Sequence, residues 1–184
     1  MEKKYLDLTE LIKSNLGQNT DEKFLKLFEM CKKVKERGFL TKEEFVKIGM
    51  WKSPRPKNLY LSNPEEEIIS ISKKILLSNS EKEKMALLNT LKGVSIPVAS
   101  AILTVINPEN YGVIDIRDWQ LLHLYGEVNS KPKGQGFNLD DWLIFLEIIR
   151  KYAKELEISV RDVEITLYFH HKDIQEGNLY NHSV

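Results

Sequence analysis

The sequence predicts an all-α domain. Apolar residues recur three and four positions apart through almost all of its 184 residues, capping and turn residues separate the apolar blocks, and no segment alternates as a half-buried strand does. Apolar content of 42% and charged content of 29% are ordinary globular values, which exclude a disordered, collagen-like or fibrous chain and provide a core of useful size. No apolar run reaches the ~20 residues that cross a bilayer.

A first helix is expected over residues 5–16, ending at Gly17. Thr20 or Asp21 caps a second, in which Phe24, Leu25, Leu27, Phe28 and Cys31 form an apolar face that continues to Gly38. Thr41-Lys42-Glu43-Glu44 matches a capping box and opens a third. It stops at Trp51-Lys52-Ser53-Pro54-Arg55-Pro56-Lys57, where two prolines predict an extended basic segment beside one aromatic ring. Asn63-Pro64-Glu65-Glu66-Glu67 reads as a helix start with Asn63 as cap, a proline in the first turn and acids at the positive end of the dipole. That helix runs to about residue 77, the next begins at residues 78–80, and Gly93 interrupts it before another resumes after Ser95. Residues 107–114 form a connector, and Asp115 opens a helix that fades at Gly126. With Pro132, Gly134 and Gly136, residues 128–137 read as the most flexible loop. Two helices close the fold, 138–156 with the stripe Leu139, Trp142, Leu143, Leu146, Ile149 and Ala153, and 159–170. The organisation expected is one domain, 1–184, whose change of composition near residue 58 allows two lobes, 1–58 and 59–172, ahead of a polar tail, 173–184.

Charge sharpens this division. The chain balances 27 basic against 27 acidic residues, whereas nucleic-acid binders usually carry an excess of positive charge that displaces counterions from phosphates. Residues 1–57 hold 14 basic and 9 acidic side chains, a net of +5, and the remainder has a net of −5. A phosphate-binding surface therefore has to bring the 51–57 segment alongside anything functional in the acidic part. The lone Cys31 excludes an internal disulfide, a cysteine-rich zinc site and a four-cysteine cluster, and it is expected to be a buried apolar residue. His170 and His171 point different ways on a helix with no further ligand at useful spacing, so no metal and no cofactor are expected. The residues after Met1 lack the long apolar stretch of a secretory signal, which makes the cytoplasm the expected location and Asn181-His182-Ser183 a chance glycosylation sequon.

The most informative stretch is Leu91-Lys92-Gly93-Val94-Ser95-Ile96-Pro97-Val98-Ala99-Ser100-Ala101. A glycine ends one helix, two residues turn, and serine followed by proline within two residues starts the next, which is a helix-hairpin-helix pattern. The bare glycine and the amides at the positive end of the second helix can together grip a phosphate, a contact without sequence information. Ala99 and Ala101 permit close helix approach. Eighteen residues beyond Pro97, Tyr111-Gly112-Val113-Ile114-Asp115 places an aspartate after an apolar pair.

Over about residues 85–120 this combination resembles the helix-hairpin-helix base-excision DNA glycosylases, the superfamily of endonuclease III, adenine glycosylase and 8-oxoguanine glycosylase. Leucine, glycine, valine, alanine and aspartate fall in register at Leu91, Gly93, Val94, Ala99 and Asp115. The resemblance implies a multi-helical fold with a cleft between lobes, a duplex DNA partner with a flipped base, and a hydrolase of base-excision repair in which Asp115 assists base departure. It implies phosphate binding by Gly93, Val94 and Ser95, with Lys92 beside them, and further DNA contacts from Trp51, Lys52, Arg55 and Arg117. The family's Schiff-base lysine is replaced by Pro97, so the implied enzyme is monofunctional, attacks with water and leaves an abasic site. Ser95 stands where the family has a second glycine, Lys92 where it has proline, and Arg117 where lyases have histidine. The iron-sulfur cysteines are absent.

Other roles remain open for the same residues. Asp115 can cap its own helix, with Asp118 three residues on, and the hairpin can be a plain tight turn. Residues 51–57 can be a solvated linker anchored by Trp51. Trp119 and Trp142 lie on apolar stripes and are expected in the core. The corresponding alternatives to a glycosylase are a nucleic-acid-binding or adaptor module that keeps the fold without base excision, and a helical protein-interaction domain.

Overall fold

The computed structural model describes residues 2–176 and Leu179, and the regular elements among them are all helices. The sequon at residues 181–183 lies outside the described residues. In chain order the helices are α1 Leu8–Asn15, α2 Glu22–Cys31, α3 Val34–Arg37, α4 Lys42–Lys52, α5 Lys57–Leu61 and α6 Glu65–Leu77. They continue with α7 Glu81–Leu88, α8 Ile96–Ile106, α9 Ile116–Tyr125, α10 Leu139–Leu156 and α11 Val160–Ile174. No helix among the described residues is long and apolar enough to cross a membrane.

Helix α8 is the centre of the core. Apart from Pro97, every one of its residues is buried, as expected of a helix that is apolar all round. Its small residues Ala99, Ser100 and Ala101 leave room for neighbours, and α2, α4 and α7 pack on it. Around the other side, α11 packs against α1, α9 and α10. Trp119 and Trp142 are fully buried, Cys31 is buried, and Trp142, Leu146, Ile149 and Ala153 of the stripe on α10 face the core. Each such Leu or Ile contributes about 1.5–3 kcal/mol by leaving water.

Helix starts follow local chemistry closely. Thr41 with Glu44 forms the capping box of α4, and Asn138 with Asp141 and Ser159 with Asp162 form those of α10 and α11. Ser80 caps α7 through the Glu83 amide.

Four expectations are corrected. The second helix divides into α2 and α3 at a turn over residues 32–33, and Leu25 and Phe28 lie on the exposed side while Phe24, Leu27 and Cys31 are buried. The segment 51–57 is not extended: α4 runs through Lys52, residues 54–56 turn, and α5 starts straight after Pro56, whose carbonyl accepts from the Leu59 and Tyr60 amides. Asn63 does not cap α6, because Pro64 takes that position. The Asn63 side chain is fully buried instead, donating to the Leu59, Tyr60 and Lys92 carbonyls and accepting from the Lys92 amide at 2.7 Å. Finally, loop 128–137 is anchored: the Trp119 indole donates to the Ser130 carbonyl, and Lys131 reaches the Gly136 carbonyl and the Asp141 carboxylate.

The connector after α8 is pinned from two sides. The Ser100 hydroxyl accepts from the Ile114 amide at 3.1 Å, and the Val160 and Arg161 amides at the start of α11 donate to the Glu109 and Pro108 carbonyls. A side chain at Gly112 would meet Glu164 Cβ and Ile149 Cδ1, each at 2.8 Å, so glycine allows the connector to lie directly on α10 and α11. This fixes where Asp115 leaves the core.

Candidate functional site

Asp115 stands at the N-terminus of α9 in extended backbone and caps it, accepting from the Arg117 amide at 3.1 Å. Its other carboxylate oxygen accepts from Lys52 Nζ at 2.5 Å. The two side chains are 24% and 15% exposed, and both face a cleft of about 390 Å3. Burial pushes the Asp115 carboxyl up, but the charge and hydrogen bond of Lys52, with the amide and charge of Arg117, outweigh it. The carboxyl is held below its ordinary 3.8 and is ionised at neutral pH.

The cleft lies among the end of α4, the connector and α11. Trp51 walls one side and packs on Phe24, while Tyr168, Phe169 and Lys172 come from α11. Its floor is an ion network centred on Arg161, which donates to Asp21 at 2.8 Å and to Glu164, with the guanidinium over the Phe24 ring at 4.3 Å. Asp21 is also the N-cap of α2. Burial raises Glu164, while Arg161 opposes that rise. Next to it Asp118 is fully buried with neither carboxylate oxygen hydrogen-bonded, and burial, then repulsion from Glu164 and Asp115, push its carboxyl well above the usual range.

The structure unites some predicted residues and separates others. Trp51 and Lys52 do meet Asp115. Arg55 stays on the exposed turn outside the cleft lining, and Lys92 is exposed on the hairpin. Arg117 turns inward, donating to the Gln175 side chain, contacting His171 Nδ1 at 3.3 Å and lying over the Tyr168 ring. His171 is buried with Nε2 2.8 Å from Gln120 Oε1, and no group of three His, Cys, Asp or Glu among the described residues is arranged to hold a metal ion.

The hairpin is present, with modified chemistry. Gly93 has φ +83°, and a Cβ there would meet Leu59 Cβ at 3.0 Å and the Tyr60 ring at 3.1 Å, so α5 rests on the glycine. The Val94 amide donates to the Leu91 carbonyl and the Lys92 amide to Asn63, while the Gly93 and Ser95 amides have no backbone partner among the described residues; in the first turn of α8, Pro97 has no N–H and Ile96 and Val98 are buried. Ser95 occupies the N-cap position of α8, but its hydroxyl makes no capping bond.

Sequence reasoning missed Arg161, Glu164 and Tyr168. Their spacing of three and four puts them on one stripe of α11, and the charges of Arg161 and Glu164 among the apolar Val160, Val163 and Leu167 are the signal that could have found them. The chain matches no protein-family model, and comparison with curated proteins and with solved structures finds no match.

Proposed function

We propose that this chain is a DNA-binding helix-hairpin-helix protein that acts as a monofunctional N-glycosylase on a damaged or modified base. The observation that carries the reading is the meeting of Asp115 with Trp51 and Lys52 in one cleft, across 63 residues of sequence. The aspartate thus stands beside the basic aromatic segment that a DNA-binding surface requires.

In this reading a flipped nucleotide enters the cleft with its base against Trp51. The bond from C1′ to the base nitrogen breaks, its electron pair leaves with the base, and the base takes a proton. Ionised Asp115 stabilises the positive charge left on the deoxyribose, and water adds to C1′ while losing a proton. Lys52 attracts the phosphodiester, and its displacement from Asp115 by phosphate exposes the carboxylate to the sugar. Pro97, at the position of the family's Schiff-base lysine, has no amine with which to form an imine.

The test is a panel of duplexes and of single strands carrying deaminated, alkylated or oxidised bases, scored for strand breaks that appear after alkali. Asp115→Asn, which keeps the cap, is expected to lower base release by at least ~10²-fold. A borohydride-trapped adduct would overturn the monofunctional assignment and point to Lys52. The adaptor reading has its own support: both Asp115 oxygens already have partners within the chain, as in a structural cap. Retained DNA binding with no release from any duplex or single strand, and indifference of that binding to Asp115→Asn, would favour it.

A further inference from the structure

The cleft of Asp115 does not end at Trp51. Lys23 and Trp51 line it and also line a second, more open trough of about 650 Å3 between α2 and α4. The floor of this trough is apolar, built from Met30, Val46 and Met50 with the Trp51 ring, all part-exposed and packed against the core. The rim is Lys23, Lys26 and Lys47, and no carboxylate lines it. Lys47 pairs with Glu43 one turn back, but both are exposed, and a polyanion displaces such a pair at little cost.

Thioether and indole surfaces beneath a row of ammonium groups match an unpaired nucleic-acid strand, whose base faces lie on the floor while phosphates meet the lysines. A duplex keeps its base faces stacked and leaves that floor unused. The continuity through Trp51 gives the path a direction, from the trough into the site of base release.

We propose that the α2–α4 trough binds a single-stranded DNA segment flanking the nucleotide held in the Asp115 cleft, so that the substrate class is unpaired DNA. The substrate half of this statement rests on the glycosylase reading; strand binding does not.

The full chain supplies its own probe. Trp119 and Trp142 are fully buried, so quenching of tryptophan emission by an added strand reports Trp51. With an oligothymidylate of about 12 nucleotides at low salt, emission is expected to fall, and binding to exceed that of a duplex of equal length by ~10-fold or more. Trp51→Phe is expected to abolish the quench. Lys26→Glu with Lys47→Glu, both at exposed positions, is expected to weaken the strand ~10-fold and to make log affinity fall less steeply with log salt, by about 0.7 for each phosphate that no longer meets a lysine. Equal or tighter duplex binding, absence of a quench, or competition by an acidic peptide or by anionic vesicles at similar affinity would each overturn the proposal. Base release from duplexes without strand binding removes the trough and leaves the glycosylase. Strand binding and quenching without base release from any modified base, paired or unpaired, removes the glycosylase and upholds the trough.

Discussion

Two buried titratable residues beside the cleft pull stability in opposite directions as pH changes. Asp118 is buried without a hydrogen bond, and burial, with the charges of Glu164 and Asp115, raises its carboxyl well above 3.8. A carboxyl raised on folding holds its proton more tightly in the native state, so stability is lost as pH climbs from about 3.8 through the raised value. Asp118→Asn keeps the shape and removes the titration. Its melting temperature is expected to exceed the parent's at about pH 7, by roughly 2–4 °C per kcal/mol recovered, and the gain should shrink towards about pH 4. A gain that stays constant with pH would remove Asp118 as the responsible group. At His171 the sign reverses, since burial first and Arg117 second push the imidazole down from 6.5 to about 4. It is neutral when folded and takes up a proton on unfolding, so stability falls as pH drops from 6.5 towards about 4, by at most about 1.4 kcal/mol per pH unit. His171→Gln should flatten that limb in urea midpoints, whatever it does at neutral pH. An unchanged slope would locate the effect elsewhere.

At the scale of elements, one buried side chain ties the hairpin to α5. Asn63 joins the end of α5 to the Lys92 peptide from both sides, and Gly93 lets Leu59 and Tyr60 lie against the turn. Asn63→Ala leaves buried amide and carbonyl groups unsatisfied and is expected to cost about 2–4 kcal/mol. The urea midpoint should fall with the slope unchanged, whereas a change below ~1 kcal/mol would mean that the hairpin has another support. The same geometry makes any Gly93 substitution a test of packing, so Lys92→Glu, on the exposed side, is the informative change for phosphate binding. Asn63 also marks the limit of what the sequence told. Thr41 caps its helix as expected, and Ser80, Asn138 and Ser159 cap theirs where helix starts were expected, because capping involves only the next three residues. Asn63 has the same local pattern, but a carbonyl 29 residues away claims its side chain. Helix α5 was hidden because prolines at 54 and 56 close a turn as readily as they extend a chain. At the candidate site, the distance of Asp115 from the hairpin singled it out, and the structure places it on a cleft. The Arg161 to Asp21 pair spans 140 residues, and no local rule connects them.

For the whole molecule, the neutral total charge conceals a meeting of opposites. Folding places Lys52, from the basic first third, 2.5 Å from Asp115 in the acidic remainder. The packing that achieves this crosses residue 58 repeatedly: α2 and α4 lie on α8, and α1 lies on α10 and α11. One buried apolar cluster runs from Leu8 to Leu167 and includes side chains from both sides of that position. The N-terminal helices therefore have no core separate from α8, and removing α2 and α4 would uncover part of that buried helix. Such continuity predicts one cooperative transition. Tryptophan emission, which samples Trp51 on one side of residue 58 and Trp119 and Trp142 on the other, should follow the same urea curve as helical circular dichroism. Both probes should return one midpoint and one slope, and Asn63→Ala should shift them together. Two separated transitions, with the emission change split between them, would instead mean that the lobes unfold independently and that the Lys52 to Asp115 contact is a docking contact between them.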